Sequence, residues 1–306
     1  MGRSVTLLTP RDPAPSGQSP TFSVVVPVLN GGARLVELGK ALAAQDGAVE
    51  VLLADSGSTD GAFEAAAATC AARRFDVAPG RYDHGLVRTA LVRAARAPLV
   101  AILSQDAVPQ GSAYLSRLAV PFREDARVAG AHARQIPRAG ADPLVRASLD
   151  RWTPPGDRPV VRVLPPGGAS LPPRERMRLA RFDNVASMVR RDDVLERPFP
   201  SREFGEDLSW GWATLLAGRA LAYAPRAVVE HSHEPTLREV HDRNVLSHRQ
   251  ARAEFGLRAV PGLTAGVIAL LAGVPDDLMD GGPRWAAKGV PRRAAALLGQ
   301  WRGGRG

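Results

Sequence analysis

The chain has 306 residues, enough for one large domain or two of roughly 150 residues each. Hydrophobic residues make up 45%, which excludes a disordered chain, and a single cysteine, Cys70, excludes a disulfide framework and a cysteine zinc site. The formal net charge of +9 is carried almost wholly by arginine, with Lys40 and Lys288 the exceptions. Such a surface suits an anionic partner, although a GC-rich genome would load a chain with Arg, Ala, Gly and Pro in the same way.

Residues 1–20 lack the apolar core of a signal peptide and are expected to form a flexible arm. Phe22–Val28 (FSVVVPV), mostly apolar and rich in β-branched valine, predicts the first strand. The Asn30-Gly31-Gly32 turn leads to a helix over 33–45, with Leu35, Leu38 and Leu42 at helical spacing. Residues 49–54 predict a second strand that delivers Asp55 into a turn rich in cap residues, 55–61. An Ala-rich helix to residue 72, with Cys70 expected in the core, a short strand over 75–78 and a helix over 86–95 follow. The stretch 99–109 (LVAILSQDAVP) then runs five apolar residues into Ser104, Gln105 and Asp106. Such a run predicts a strand covered on both faces, so its working end is the C-terminal edge, where open α/β sheets bind ligands. Alternating strands and helices with short links predict a parallel sheet with right-handed crossovers, which sets Asp55 and Asp106 along one edge.

A helix over 112–122 and a strand over 128–133 continue the pattern. Residues 154–173 are rich in Pro and Gly and too long for an ordinary connection, which predicts a functional loop or a mobile lid. A strand over 184–189 and a rigid turn at 198–200 precede Phe204-Gly205-Glu206-Asp207-Leu208, which opens a helix ended by Gly218. Short strands over 221–224 and 227–229 lead to His231-Ser232-His233, whose period of two sets both imidazoles on one side. Leu237–Phe255 predicts a long charged helix. Residues 256–306 form a basic extension in which Arg284, Lys288, Arg292, Arg293, Arg302 and Arg305 alternate with Trp285, Leu297, Leu298 and Trp301. That mixture suits a peripheral contact with an anionic membrane, and no segment reaches the ~18 apolar residues of a span.

Several residues carry two readings. Asp106 at a strand end either starts a turn or holds a divalent cation beside a diphosphate. Glu206 and Asp207 are either helix N-terminal acids or a catalytic carboxylate pair. His84-Gly85 either caps a helix or opens it toward an anion, with Arg88 one turn later adding charge.

Taken in order, V-V-P-V-L-N, D-S-G-S-T-D-G, S-Q-D-A-V-P, F-G-E-D-L-S-W and H-S-H resemble family 2 glycosyltransferases of the GT-A fold. Within that family the pattern is most similar to bacterial rhamnosyltransferases, over roughly residues 22–255. The resemblance implies an α/β fold with a mostly parallel, Rossmann-like central sheet flanked by helices, spanning 21–255 and followed by the helical extension 256–306. It implies an inverting transferase, while the lack of a signal-peptide core and of an apolar span makes the cytoplasm, or peripherally the inner face of the cell membrane, the expected location. A nucleotide-sugar donor, such as dTDP-L-rhamnose, would deliver its sugar to a saccharide or lipid-linked acceptor in cell-surface polysaccharide synthesis. Mg2+ or Mn2+ would serve as cofactor, and no nucleic acid would be a partner. By the same resemblance Asp207 is the catalytic base and Asp106 the metal-binding acid, with His231 or His233 completing the metal shell. Pro27, Asn30, Asp55, Ser58, His84, Gly85, Arg88 and Gln105 surround the donor. Ser104 stands where the commoner motif has its first aspartate, leaving Asp106 as the single certain carboxylate. Trp210 and Trp212 cannot share a helix face, so at least one is expected in the core and the other against a sugar. The competing expectation is a catalytically silent protein that binds nucleotides or polyanions on the same fold.

Overall fold

The computed structural model describes every residue except 1–5, 14–16, 18, 261 and 306. The chain opens with β1 (Leu8–Pro10), β2 (Phe22–Val28), α1 (Gly32–Ala43), β3 (Val49–Asp55), α2 (Ala62–Thr69), β4 (Arg73–Val77), α3 (His84–Ala94) and β5 (Leu99–Leu103). The middle third contains β6 (Val108–Pro109), α4 (Tyr114–Leu118), α5 (Val120–Glu124), β7 (Val128–Ile136), α6 (Pro143–Trp152), β8 (Val160–Arg162), α7 (Pro173–Ala180), β9 (Ala186–Arg190) and α8 (Arg191–Glu196). The last third runs through α9 (Glu206–Leu216), β10 (Ala220–Glu230), α10 (Leu237–Phe255), α11 (Leu263–Ala272), α12 (Val274–Gly281) and α13 (Pro283–Gly303).

The strands form one sheet in the order β1-β4-β3-β2-β5-β9-β7-β10-β6, with β8 also paired to β10. Strands β4, β3, β2 and β5 are mutually parallel. β9 is antiparallel to both β5 and β7, so β7 and its parallel neighbour β10 point the same way as the first four. The α/β architecture expected from the alternating pattern is therefore present. Side chains of successive residues leave a strand on opposite faces. Val24, Val26 and Val28 of β2 accordingly enter one core with Leu35, Leu38 and Leu42 of α1, whereas Val25 enters a second core with Val87, Leu91 and Val92 of α3. Helices cover both faces, which leaves the strand ends as the accessible edge.

Several elements differ from the sequence expectation, each for a local reason. Within the segment expected to be a flexible arm, Leu8–Pro10 forms an edge strand antiparallel to β4. The helix expected over 112–122 is two short helices broken at Ala119, because Pro121 lacks the N–H a continuous helix needs and fits only a first turn. The two strands expected at 221–224 and 227–229 are one strand, β10, with an irregularity between Ala224 and Val228 around Pro225. Helices α6, α7 and α8 were not anticipated. The expected lid over 154–173 is strapped down rather than free: β8 pairs with β10, and the Tyr223 hydroxyl donates to Pro154 O at 2.6 Å. Cys70 packs against the core only partly buried, and burial raises its thiol pKa to about 11.

The extension after α10 is helical, and among the described residues no helix is long and apolar enough to cross a membrane. α10 starts on a capping box, with Thr236 Oγ1 accepting from Glu239 N and Glu239 Oε2 accepting from Thr236 N. α13 packs along α10, where Gly299 and Gly303 leave no room for a side chain against the α10 backbone.

Candidate active site

The ends of β2, β3, β5, β7 and β10 and the start of β9 meet at one edge of the sheet. A cavity of about 480 Å3 opens there, lined by Pro27, Val28, Leu29, Ser56, Tyr82, His84, Arg88, Ser104, Gln105 and Asp106. Its floor is held by hydrogen bonds between loops. Gln105 receives Leu29 N–H at 2.8 Å on its carbonyl oxygen and donates its amide to Leu29 O at 3.0 Å. Asn30, in the left-handed region at φ 48°, donates its N–H to Ser58 Oγ at 2.9 Å and receives Thr59 N–H at 2.9 Å. Asparagine tolerates that conformation better than most residues.

Asp55 ends β3 but does not line the cavity; the adjoining Ser56 does. Its Oδ1 accepts the N–H groups of Gly57 and Ser58, and its Oδ2 meets Arg11 at 3.1 Å. Burial pushes its pKa up, but hydrogen bonds from Ser58 and Gly57 and the Arg11 charge outweigh this and hold it below the ordinary carboxylate range. Asp55 thus shapes the loop beside the cavity.

α3 starts at His84, but its cap is Asp83, which receives Leu86 N–H at 2.8 Å. His84 Nδ1 lies 3.0 Å from the Tyr82 hydroxyl, and burial together with the nearby Arg88 charge lowers its pKa. Gly85 is required by packing, because a Cβ there would meet the Pro200 carbonyl. Arg88 borders the cavity with its guanidinium committed to a buried ion pair with Glu206.

Asp106, His231 and His233 converge. Their candidate donor atoms lie within 4.8 Å of one another. The two Nε2 atoms are 3.0 Å apart, and Asp106 is 3.2 Å from His233 and 3.7 Å from His231. This follows from the period of two in His-Ser-His and from the parallel run of β5 and β10. One carboxylate and two imidazoles form a donor set that could hold a divalent cation. His231 is buried and stays neutral, its pKa lowered to about 4 chiefly by burial despite the Asp106 charge, as a nitrogen ligand requires. Arg138, which the sequence reading did not single out, meets the same Asp106 Oδ2 at 3.1 Å.

Asp207 and Glu206 open α9 behind Gly205, whose φ of 73° needs glycine. Asp207 is partly buried, and its Oδ2 receives Asn184 N–H at 3.2 Å. Burial first, then Glu206 and Asp183, raises its pKa to about 7. Glu206 diverges from it into the Arg88 pair. Trp210 and Trp212 are both buried, so neither is available to a sugar.

The sequence reading also missed Gln135, Asn184 and Asp183. Asn184 precedes β9, and because β9 runs antiparallel, its N-terminal end lies at the active edge. An Asp-Asn pair before an apolar run was the available signal, but it points to the site only once strand direction is known.

The sequence matches the family model described as glycosyl transferase family 2 over residues 23–180. Comparison with curated proteins returns no match. Among solved structures, a mannosyltransferase from Pyrobaculum calidifontis in complex with GDP-Man and Mn2+ superposes with a TM-score of 0.59 at 16% identity, covering 94% of this chain and 89% of that one. TarS residues 1–349 from S. aureus, in complex with UDP-GlcNAc, gives 0.53 at 14% identity over 91% and 90% of the two chains. Glucosyl-3-phosphoglycerate synthase from Mycobacterium tuberculosis, with Mn2+, UDP and glucosyl-3-phosphoglycerate, gives 0.53 at 19% identity over 80% and 83%. At these identities the likeness is one of fold, the GT-A architecture.

Proposed function

The chain belongs to glycosyl transferase family 2, and from that premise we propose that it is an inverting transferase moving a sugar from a nucleotide-sugar donor to a hydroxyl of a saccharide or lipid-linked acceptor. The observation that carries the reading is the convergence of His231 and His233 on Asp106, which lines the cavity, at the sheet edge where Asn184, just before β9, holds the Asp207 carboxylate. L-rhamnose from a dTDP donor is the proposed sugar, and cell-surface polysaccharide synthesis at the cytoplasmic side the proposed setting, both on the motif resemblance alone.

The nucleotide would lie against Pro27, Ser56 and Gln105, in the loops that Asn30, Asp55 and Ser58 hold, with His84 and Arg88 toward its diphosphate. Asp106, His231 and His233 would hold Mn2+ or Mg2+; when bound, the cation offsets the charge that builds on the leaving diphosphate. The acceptor oxygen attacks the anomeric carbon as the bond to the diphosphate breaks on the opposite face. Asp207 takes the hydroxyl proton, and a pKa of about 7 suits a base working near neutrality.

The Arg138–Asp106 contact favours a second reading, in which the Arg138 guanidinium rather than a metal faces the diphosphate. Donor hydrolysis separates the two. Activity that is lost with EDTA and restored by Mn2+ supports the first, whereas activity indifferent to EDTA but lost in Arg138→Ala supports the second. Failure of every nucleotide sugar in a thermal-shift screen to give hydrolysis would leave a silent binder.

Membrane contact is proposed through the extension, with part of the basic stripe taken up by internal ion pairs. Lys288 and Arg292 are occupied by Asp142, and Arg293 by Asp277. The exposed aliphatic groups are Val267, Ile268 and Leu271 of α11, Leu278 and Met279 of α12 and Leu298 of α13, with Arg258, Arg284, Arg302 and Arg305 exposed nearby in sequence. Flotation with anionic liposomes should carry the full chain and not Ile268→Asp/Leu271→Asp; equal flotation would exclude this face.

A further inference from the structure

His231 offers two ring nitrogens, and only an unprotonated one can bind a cation. Which one is free depends on what the other meets. His231 Nδ1 lies 2.9 Å from the side-chain Oε1 of Gln135, the buried residue near the end of β7. The other end of that amide, Nε2, donates to Asp183 Oδ2 at 2.7 Å. Trp152 Nε1 donates to the same oxygen at 2.9 Å, and Val185 N–H donates to Asp183 Oδ1 at 2.9 Å.

The polarity of this row of contacts is forced. An indole N–H and a backbone N–H can only donate, and between them they reach both Asp183 oxygens. Asp183 is thus an acceptor on both oxygens, and the Gln135 group facing it must be the NH2. The Gln135 oxygen is then turned to His231. An oxygen can only accept, so the proton of His231 sits on Nδ1. Its Nε2 carries the lone pair, and Nε2 is the atom 3.0 Å from His233 and 3.7 Å from Asp106. The main chain of Gln135 is held as well: its N–H donates to Oγ1 of the buried Thr153 at 3.1 Å, and that hydroxyl lies 3.3 Å from Gln135 O.

We propose that Asp183 and Gln135 are positioning residues that select the Nδ1-protonated tautomer of His231 and so present its Nε2 to a divalent cation shared with Asp106 and His233. The metal half of this rests on the function proposed above; the tautomer half does not. Outer contacts of this kind are worth about 10–100-fold in metal affinity.

The experiment pairs two readouts on protein labelled with 15N-histidine. Long-range 1H–15N correlation of the metal-free protein above pH 7 should show His231 protonated on Nδ1. In Gln135→Leu that signature should give way to a mixture or to Nε2 protonation, and Asp183→Asn, which lets the Gln135 amide turn over, should weaken the preference. Mn2+ binding followed by electron paramagnetic resonance should weaken about 10–100-fold in Gln135→Leu and less in Asp183→Asn. If Gln135→Leu fails to fold, Asp183→Asn carries both readouts. An Nε2-protonated His231 in the wild type, or variants that keep both the tautomer and the Mn2+ affinity, would overturn the proposal. A wild type with the Nδ1 tautomer but no Mn2+ binding would overturn the metal half together with the metal reading, and leave tautomer selection standing.

Discussion

The two halves of the sheet edge are held in different ways. On the donor side, loops from β2, β3 and β5 are joined chiefly by neutral contacts, Gln105 on Leu29 and Asn30 on Ser58 and Thr59, with the Asp55 carboxylate, held by Arg11, receiving the Gly57 and Ser58 amides. On the reaction side, ionisable groups face one another: Asp106 with Arg138 and two histidines, Glu206 with Arg88, and Asp207 beside Asp183. Neutral contacts preserve a shape whatever the pH. Charges brought together out of water make protonation, metal and mutation act strongly. Losses of turnover should therefore cluster on the reaction side and losses of donor affinity on the donor side.

The sharpest test of that division is Asp106→Ala. It removes the only carboxylate of the cluster, so turnover should fall by more than about 10³-fold, of the order expected for lost transition-state charge stabilisation. Donor affinity measured by calorimetry should also fall, but only with metal present. Unchanged affinity in Mn2+ would remove Asp106 from the metal site.

Asp207→Asn should fold, bind donor nearly as well and lose on the order of 10²–10⁴ in kcat, the usual worth of a general base. The pH dependence has a definite sign. The raised pKa keeps Asp207 protonated below about pH 7, and only the carboxylate accepts a proton, so kcat/KM should climb as pH rises through about 7. The folded state also holds this proton more tightly than the unfolded chain. Asp207 therefore subtracts stability as pH rises from the ordinary carboxylate range to about 7, and the Asn variant should lose that slope. Near-normal turnover in Asp207→Asn would place the base elsewhere.

Glu206→Gln probes the same helix turn and keeps the Asp207 carboxyl in place, removing only one of the charges that raise its pKa. It leaves Arg88 buried beside a neutral amide, so the expected loss is about 1–3 kcal/mol of stability in chemical denaturation, the cost of an unmatched buried group. Its kcat should drop far less than that of Asp207→Asn. A kcat loss equal to that of Asp207→Asn, with stability intact, would reverse the two assignments.

The smallest effect is expected on the donor side. Asp55→Ala frees the Gly57 and Ser58 amides and loosens the loop beside Ser56, so donor KM should rise by about tenfold while kcat changes little, as when binding is lost equally from ground and transition states. A loss confined to kcat would break the comparison between the two sides.

Much of this was legible along the chain. The valine-rich run over Phe22–Val28 and the apolar run over Leu99–Leu103 read as strands covered on both faces, and a carboxylate just beyond such a strand emerges at the sheet edge. The period of two in His231-Ser232-His233 likewise set both rings on one side. These are properties of a short window, in which periodicity and the φ/ψ preferences of single residues suffice. The direction of β9 is not such a property. It depends on which strands flank it, and only its antiparallel insertion between β5 and β7 brings Asp183 and Asn184 to the edge where Asp106 and His231 already stand. The partners of Asp106 and of Gln135 were hidden for the same reason. Arg138 is 32 residues from Asp106, and Asp183 is 48 from Gln135. Sequence thus determined which residues end the strands, through local hydrophobic pattern. Tertiary structure decided which charges are paired, and which nitrogen of His231 is free, because hydrogen bonding and desolvation depend on neighbours that only the folded sheet brings together.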